Sequence, residues 1–241
     1  VKHKKPRIRR VQEYVERPSE QAHLLVGLPS CSYKSDFRFE SFVVNDLLGG
    51  GVTSRLYQKI REDKGLVYTV HSFLQSFVDT GLLLIYAGTA ADNALQVLKI
   101  IRAELEKVSA QGIKQSELSM FKTQVKGQIL LGAEDMENRM NSLGVNEMVF
   151  NQYRPIDEVI NEIDAVSVSS LREYCAKYVD TSQTSVMVMG ELEPDKAIKL
   201  LEDVNLMTPE NIHLNSFMYE PILDMSNEHL KLLYDSVSKL K

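Results

Sequence analysis

Few side-chain types can make or break a covalent bond, and their spacing in this 241-residue chain narrows the chemistry at once. The histidines are His3, His23, His71, His213 and His229, and no two lie within ten residues of each other. None stands in an HExxH or HxxEH context, where two imidazoles one helical turn apart hold zinc beside a glutamate that activates water. No zinc site is therefore expected on this chain. Cys31 and Cys175 form no CxxC pair, have no histidine nearby, and read as buried thiols. There is no GxSxG elbow. The run Gly49, Gly50, Gly51 lacks the Lys-Ser/Thr of a phosphate loop, so it reads as a break between helices where backbones approach closely.

The elements that would position any site follow from periodicity. Residues 8–17 and 21–28 read as strands. Ser35 or Asp36 caps a helix with Phe39, Phe42, Val43 and Leu47 on one face, stopped by the triglycine. A second helix starts at Thr53 or Ser54, packs through Leu56, Tyr57 and Ile60, and ends at Gly65. Residues 66–77 and 82–86 form a hairpin through Asp79, Thr80 and Gly81. Apolar stripes at helical spacing follow, Ala94 to Val108 and Leu118 to Ile129, then shorter helices at 135–150, 156–163 and 167–178. A buried strand is predicted at 184–189 and a helix at 194–204. Residues 212–221 read as irregular, and Leu230, Leu233, Tyr234, Val237 and Leu240 mark a final amphipathic helix. Strands at both ends with helices between predict an α+β fold, an antiparallel-rich mixed sheet with helices mainly on one face.

Composition excludes other classes. Hydrophobic residues at 44% and charged residues at 25% describe a chain that folds into a globule. A net charge of -5 disfavours nucleic acid, and the basic cluster Lys2, Lys4, Lys5, Arg7, Arg9 and Arg10 reads as a solvated linker or strand entry. No apolar run is long enough to span a membrane, and the N-terminus lacks the apolar core of a signal peptide. The first residue is Val1, in a charged, proline-containing stretch of the kind that links domains, so the chain is expected to derive from a longer precursor. The compartment stays open: cytoplasmic is favoured, with periplasmic or organellar as alternatives.

The informative stretch is Leu47 to Thr89, LLGGGVTSRLYQKIREDKGLVYTVHSFLQSFVDTGLLLIYAGT. It resembles the second half of the pitrilysin or insulinase zinc metallopeptidases, particularly the mitochondrial and bacterial processing-peptidase branch. The triglycine, the SRLYQKIRE helix, the KGLVYTV strand and the DTG turn into IYAGT carry the likeness. It extends from EQAHLLVGLP through GQILLGAEDMENRM and IDAVSVSSLREY to VMVMG. The resemblance implies one half of a clamshell that closes a chamber around unfolded peptides or presequences. In such enzymes the zinc and its HxxEH motif belong to the complementary N-terminal half. The C-terminal half contributes an arginine and, seven residues later, a tyrosine, which match Arg61 and Tyr68 in REDKGLVY.

A guanidinium leaving a helix and a phenol leaving the next strand are suitable donors to a peptide carbonyl that gains negative charge during hydrolysis. Taken alone, the same residues read as an exposed helix-end arginine and a core tyrosine. Arg55, Tyr57 and Lys64 stay unassigned, since a solvated helix face explains Arg55 and Lys64 equally well. By period-2 counting His71 falls on the opposite strand face from Tyr68 and reads as a packing or surface residue. The expected domain covers 1–204 and a tail 205–241, docked on its own domain or on a partner. The expected function is the substrate-holding half of a zinc endopeptidase, inactive alone, with a zinc-bearing half or subunit and unfolded peptide as partners; the alternative is a non-catalytic scaffold or adaptor of the same fold.

Overall fold

The computed structural model describes residues 9–192 and the backbone of 213–216. Strands β1 (Gln12–Glu16), β2 (Ala22–Ser30), β3 (Val67–Ser76), β4 (Gly81–Thr89), β5 (Ser185–Gly190) and β6 (His213–Ser216) form one sheet in the order β3-β4-β2-β5-β1-β6. β2 is antiparallel to β4 and to β5, and β3 to β4, whereas β1 runs parallel to β5 and β6. The expected α+β fold with an antiparallel-rich mixed sheet is the one observed.

Alternation explains the layering. Leu24, Val26 and Leu28 of β2 lie in register with Ala87, Ile85 and Leu83 of β4, and all six are buried against helices. Their neighbours Leu25, Leu84 and Tyr86 point the other way and are only half-buried. The buried face is covered by α1 (Arg38–Gly49), α2 (Ala94–Gln111) and α6 (Val168–Tyr178), with α3 (Gln115–Gly132), α4 (Met136–Phe150) and α5 (Ile156–Ala165) continuing the helical layer. Leu47, Leu98, Ile101 and Tyr174 reach the same core, each large aliphatic group stabilising the fold by about 1.5–3 kcal/mol when buried.

Distant segments meet as required. Gln12 pairs with Val186, and the Tyr14 hydroxyl donates to the carbonyls of Gly190 and Leu192 at 2.9 and 3.0 Å. The structure departs from the expectations in three places. β1 begins at Gln12 rather than at residue 8, and Ser35 and Asp36 do not cap α1. Ser35 Oγ instead accepts from the Phe37 amide at 3.2 Å, one turn ahead of the helix. The stretch 212–221, expected to be irregular, contains β6, because β1 leaves an edge that a strand can join. The helices expected at 194–204 and 230–240, the boundary near 205 and most of the basic N-terminal cluster lie outside the described residues.

Candidate active-site corner

The corner that carries Arg61 and Tyr68 is built outward from the triglycine. A Cβ on Gly49 would come within 2.5 Å of the Ser72 amide nitrogen, so glycine allows α1 to end directly against β3. Ser72 Oγ then donates to the Asn45 carbonyl at 2.8 Å, fixing that contact. Beyond Gly51 the chain turns into the helix whose last part, Tyr57–Glu62, is wound as a π-helix. The Asp63 amide reaches back five residues to the Gln58 carbonyl at 2.8 Å. Such segments recur at functional sites because the extra residue re-aims the side chains around it.

One side of this helix is fastened to the domain. Leu56 and Ile60 are fully buried. Arg55 makes a forked ion pair with Glu117 of α3, Nη2 lying 2.8 and 2.9 Å from the two carboxylate oxygens and Nε 3.0 Å from the first. Glu117 also accepts from the Lys114 amide at 3.1 Å and so closes the first turn of α3. Lys59 reaches Glu104 of α2, which is only 2% exposed and is shared with Lys107 at 3.1 Å. Burial alone would raise the Glu104 carboxyl, but hydrogen bonds and charge from Lys59 and Lys107 outweigh it and hold the group below the usual carboxylate range. Arg55 is thus an anchor inside the domain rather than a solvated helix-face residue.

The other side is free of such ties. Arg61 is exposed and its guanidinium lies over the Tyr57 ring, 5.1 Å from the centroid. No carboxylate among the described residues pairs with it. Gly65, at φ +60, reverses the chain: its amide bonds the Arg61 carbonyl and the Leu66 amide bonds the Ile60 carbonyl, both at 3.0 Å. Tyr68 follows at once, 63% exposed. The reading of Tyr68 as a core tyrosine is therefore corrected.

The cause is a β-bulge. Val67 pairs with Thr89 and Thr69 with Gly88, so Tyr68 is the extra residue between two consecutive partners. Val67 and Val70, three apart, are consequently both buried, whereas Tyr68 and His71 are both exposed. His71 does not lie on the face opposite Tyr68, because strict alternation fails across one bulged residue. The odd spacing of the two valines is the trace of this in the sequence. No hydrogen bond joins Arg61 to Tyr68; what brings them to one corner is the short Gly65 reversal between two irregular elements.

Other candidates are inert. Cys31 and Cys175 are free and buried, with the Cys175 thiol pushed up to about 12 by burial. Among the described residues no group of three or more His, Cys, Asp or Glu is arranged to hold a metal ion, so the donor set on these residues does not fit zinc. A cavity of about 470 Å³ opens on the helical side beside Arg38 and Arg154, but Arg154 there is already matched by Glu158 and Glu162. No helix of the described residues is long and apolar enough to cross a membrane.

Comparison with known proteins agrees with this fold. The chain is 37% identical over 153 residues to an uncharacterized zinc protease, YmxG, of Bacillus subtilis, covering 64% of this chain and 37% of that protein. It is 34% identical over 192 residues to the uncharacterized zinc protease SCO5738 of Streptomyces coelicolor, covering 80% and 42%. The chain thus spans about two fifths of the length of the curated relatives it matches. Among solved structures, a peptidase M16 inactive domain from Pseudomonas fluorescens superposes with a TM-score of 0.70 at 20% identity, over 80% of this chain and 46% of that one. A chain of complex III2 from Candida albicans superposes with a TM-score of 0.65 at 16% identity, over 80% and 49%. The model of the peptidase M16 inactive domain matches residues 2–125, a span that takes in the whole corner from Gly49 to Tyr68. By that match the chain is a member of the peptidase M16 inactive-domain family.

Proposed function

We propose that this chain is the substrate-holding half of a zinc endopeptidase whose metal belongs to a complementary half or partner subunit. The observation that carries the proposal is the state of Arg61 and Tyr68. Both are exposed at one corner, each on an irregular element, and neither side chain has an ion-pair or hydrogen-bond partner among the described residues. A guanidinium without a carboxylate and a phenol raised on a bulge are donors held ready for an external acceptor. In the proposed role they hydrogen-bond the carbonyl oxygen of the peptide bond being cleaved, more strongly as it gains negative charge. The zinc of the other half would supply the hydrolytic chemistry. Exposed apolar residues on α4, Met136, Met140 and Leu143, support a surface that a complementary half covers.

The test is reconstitution with the zinc-bearing portion of the longer protein. Full activity with the wild-type chain, and loss of turnover in Arg61→Ala and Tyr68→Phe, are expected. Unchanged turnover in both variants would remove the catalytic reading. The isolated chain is expected neither to retain stoichiometric zinc after dialysis nor to cleave an unstructured peptide.

A second reading is a non-catalytic scaffold or adaptor subunit of the same fold, a fold also seen in a chain of complex III2 from Candida albicans. It requires no function of Arg61 and Tyr68, so the same two variants discriminate between the readings.

A further inference from the structure

Tyr68 has a neighbour on its side of β3. The bulge uses up one residue, so Tyr68 and His71 are separated by about two regular strand steps, roughly 7 Å, rather than three. An extended peptide presents carbonyls on one side at the same two-residue repeat. His71 is held for such a contact. It lies opposite Tyr86 of β4 with ring centroids 5.2 Å apart, and Phe73 flanks it at 5.8 Å. Tyr86 is itself pinned, its hydroxyl 2.8 Å from His23 Nδ1, while His23 Nε2 lies 3.4 Å from Ser19 Oγ. A Tyr86 hydroxyl donating to Nδ1 leaves the proton of His23 on Nε2, facing Ser19, and the network is then complete. Neither ring nitrogen of His71 has a hydrogen-bond partner among the described residues.

We propose that His71 is a further substrate-contacting residue, whose imidazole N–H donates to a main-chain carbonyl of an extended peptide about two residues from the carbonyl that Tyr68 binds. The ligand class is an unfolded polypeptide in strand conformation, recognised through its backbone. His23 and Tyr86 are positioning residues that keep the His71 ring in place. This inference rests on the reading of Arg61 and Tyr68 given above.

Titration of the chain with an unstructured casein peptide tests both layers, with the Tyr68 amide and the His71 Cε1–H followed by NMR. Both signals are expected to move. His71→Ala is expected to weaken binding by about two- to tenfold, the effect of one hydrogen bond, and His71→Gln, which keeps a donor at similar reach, to recover part of it. If neither signal moves, the reading of the Arg61–Tyr68 corner falls and this inference falls with it. If Tyr68 moves while His71 does not, or His71→Ala binds as tightly as wild type, only the His71 inference is overturned. Equal loss of affinity in His71→Ala and His71→Gln, accompanied by a lower melting temperature, would assign His71 to packing and overturn it too.

Discussion

Arg55 and Arg61 lie six residues apart on the same short helix, and the fold treats them in opposite ways. Arg55 is locked by a forked pair to Glu117, which also closes the first turn of α3. Arg61 rests on an aromatic ring with no carboxylate partner among the described residues. A guanidinium bound to a carboxylate inside its own domain has spent its donors on stability, whereas one left on a ring keeps them for a ligand. On the proposed reading the inner side of this helix serves the fold and the outer side the substrate, so substitutions on the two sides should report in different measurements.

The largest expected effect is on the outer side. In a reconstituted enzyme Arg61→Ala or Tyr68→Phe should lower turnover by roughly a hundred- to a thousandfold, about 2.7–4 kcal/mol of transition-state stabilisation, while the melting temperature barely changes. A lowered melting temperature with normal turnover per folded molecule would break the comparison. On the inner side the signs reverse. Glu117→Ala leaves Arg55 unpaired and uncloses α3, so thermal or urea unfolding should reveal a loss of about 1–2 kcal/mol with turnover of the folded fraction preserved.

Between the two sides stands Gly65, at φ +60 with open space where a side chain would go. Gly65→Ala should cost about 1 kcal/mol from backbone strain alone. It also alters the reversal that relates Arg61 to Tyr68, so a fall in turnover larger than the stability loss accounts for would sharpen the assignment. The smallest effect is expected at Asp46, whose carboxyl burial pushes up, with the Gln128 hydrogen bond offsetting this only partly. A group raised in the folded state favours folding when protonated, so its ionisation removes stability as pH climbs from the unfolded value of about 4 through the folded one. Asp46→Asn should therefore raise the melting temperature at neutral pH by about 1–3 °C, with the gain shrinking in acid. A constant gain across pH would indicate repacking instead.

Much of this was legible beforehand because helices and strands advertise their periods. Leu56 and Ile60, Leu24 to Leu28 and the triglycine locate the elements from local pattern alone. Irregularity carries a weaker signature. The π-winding at Tyr57–Glu62 has the same residues an ordinary helix would, and the bulge at Tyr68 leaves only the odd spacing of Val67 and Val70. Counting by two therefore placed His71 on the wrong face. The partner of Arg55 lies 62 residues away on α3, a separation at which sequence spacing is silent. Arg61 and Tyr68 stand out as candidates only through the surrounding motif, since in isolation an arginine at a helix end and a tyrosine in a strand have ordinary explanations.

The placing of β1 also dictates an order of events during synthesis. Among the described residues its neighbours in the sheet are β5 and β6, so residues 12–16 can pair with neither of these strands until residue 185 and beyond have left the ribosome. The hairpin of β3 and β4 and its docking to β2 need no such wait. Closing a loop of this length is slow, and meanwhile β1 is an unpaired strand with two free edges. The growing domain is accordingly vulnerable to misassociation at β1, and the step that ends this vulnerability is the arrival of Ser185–Gly190.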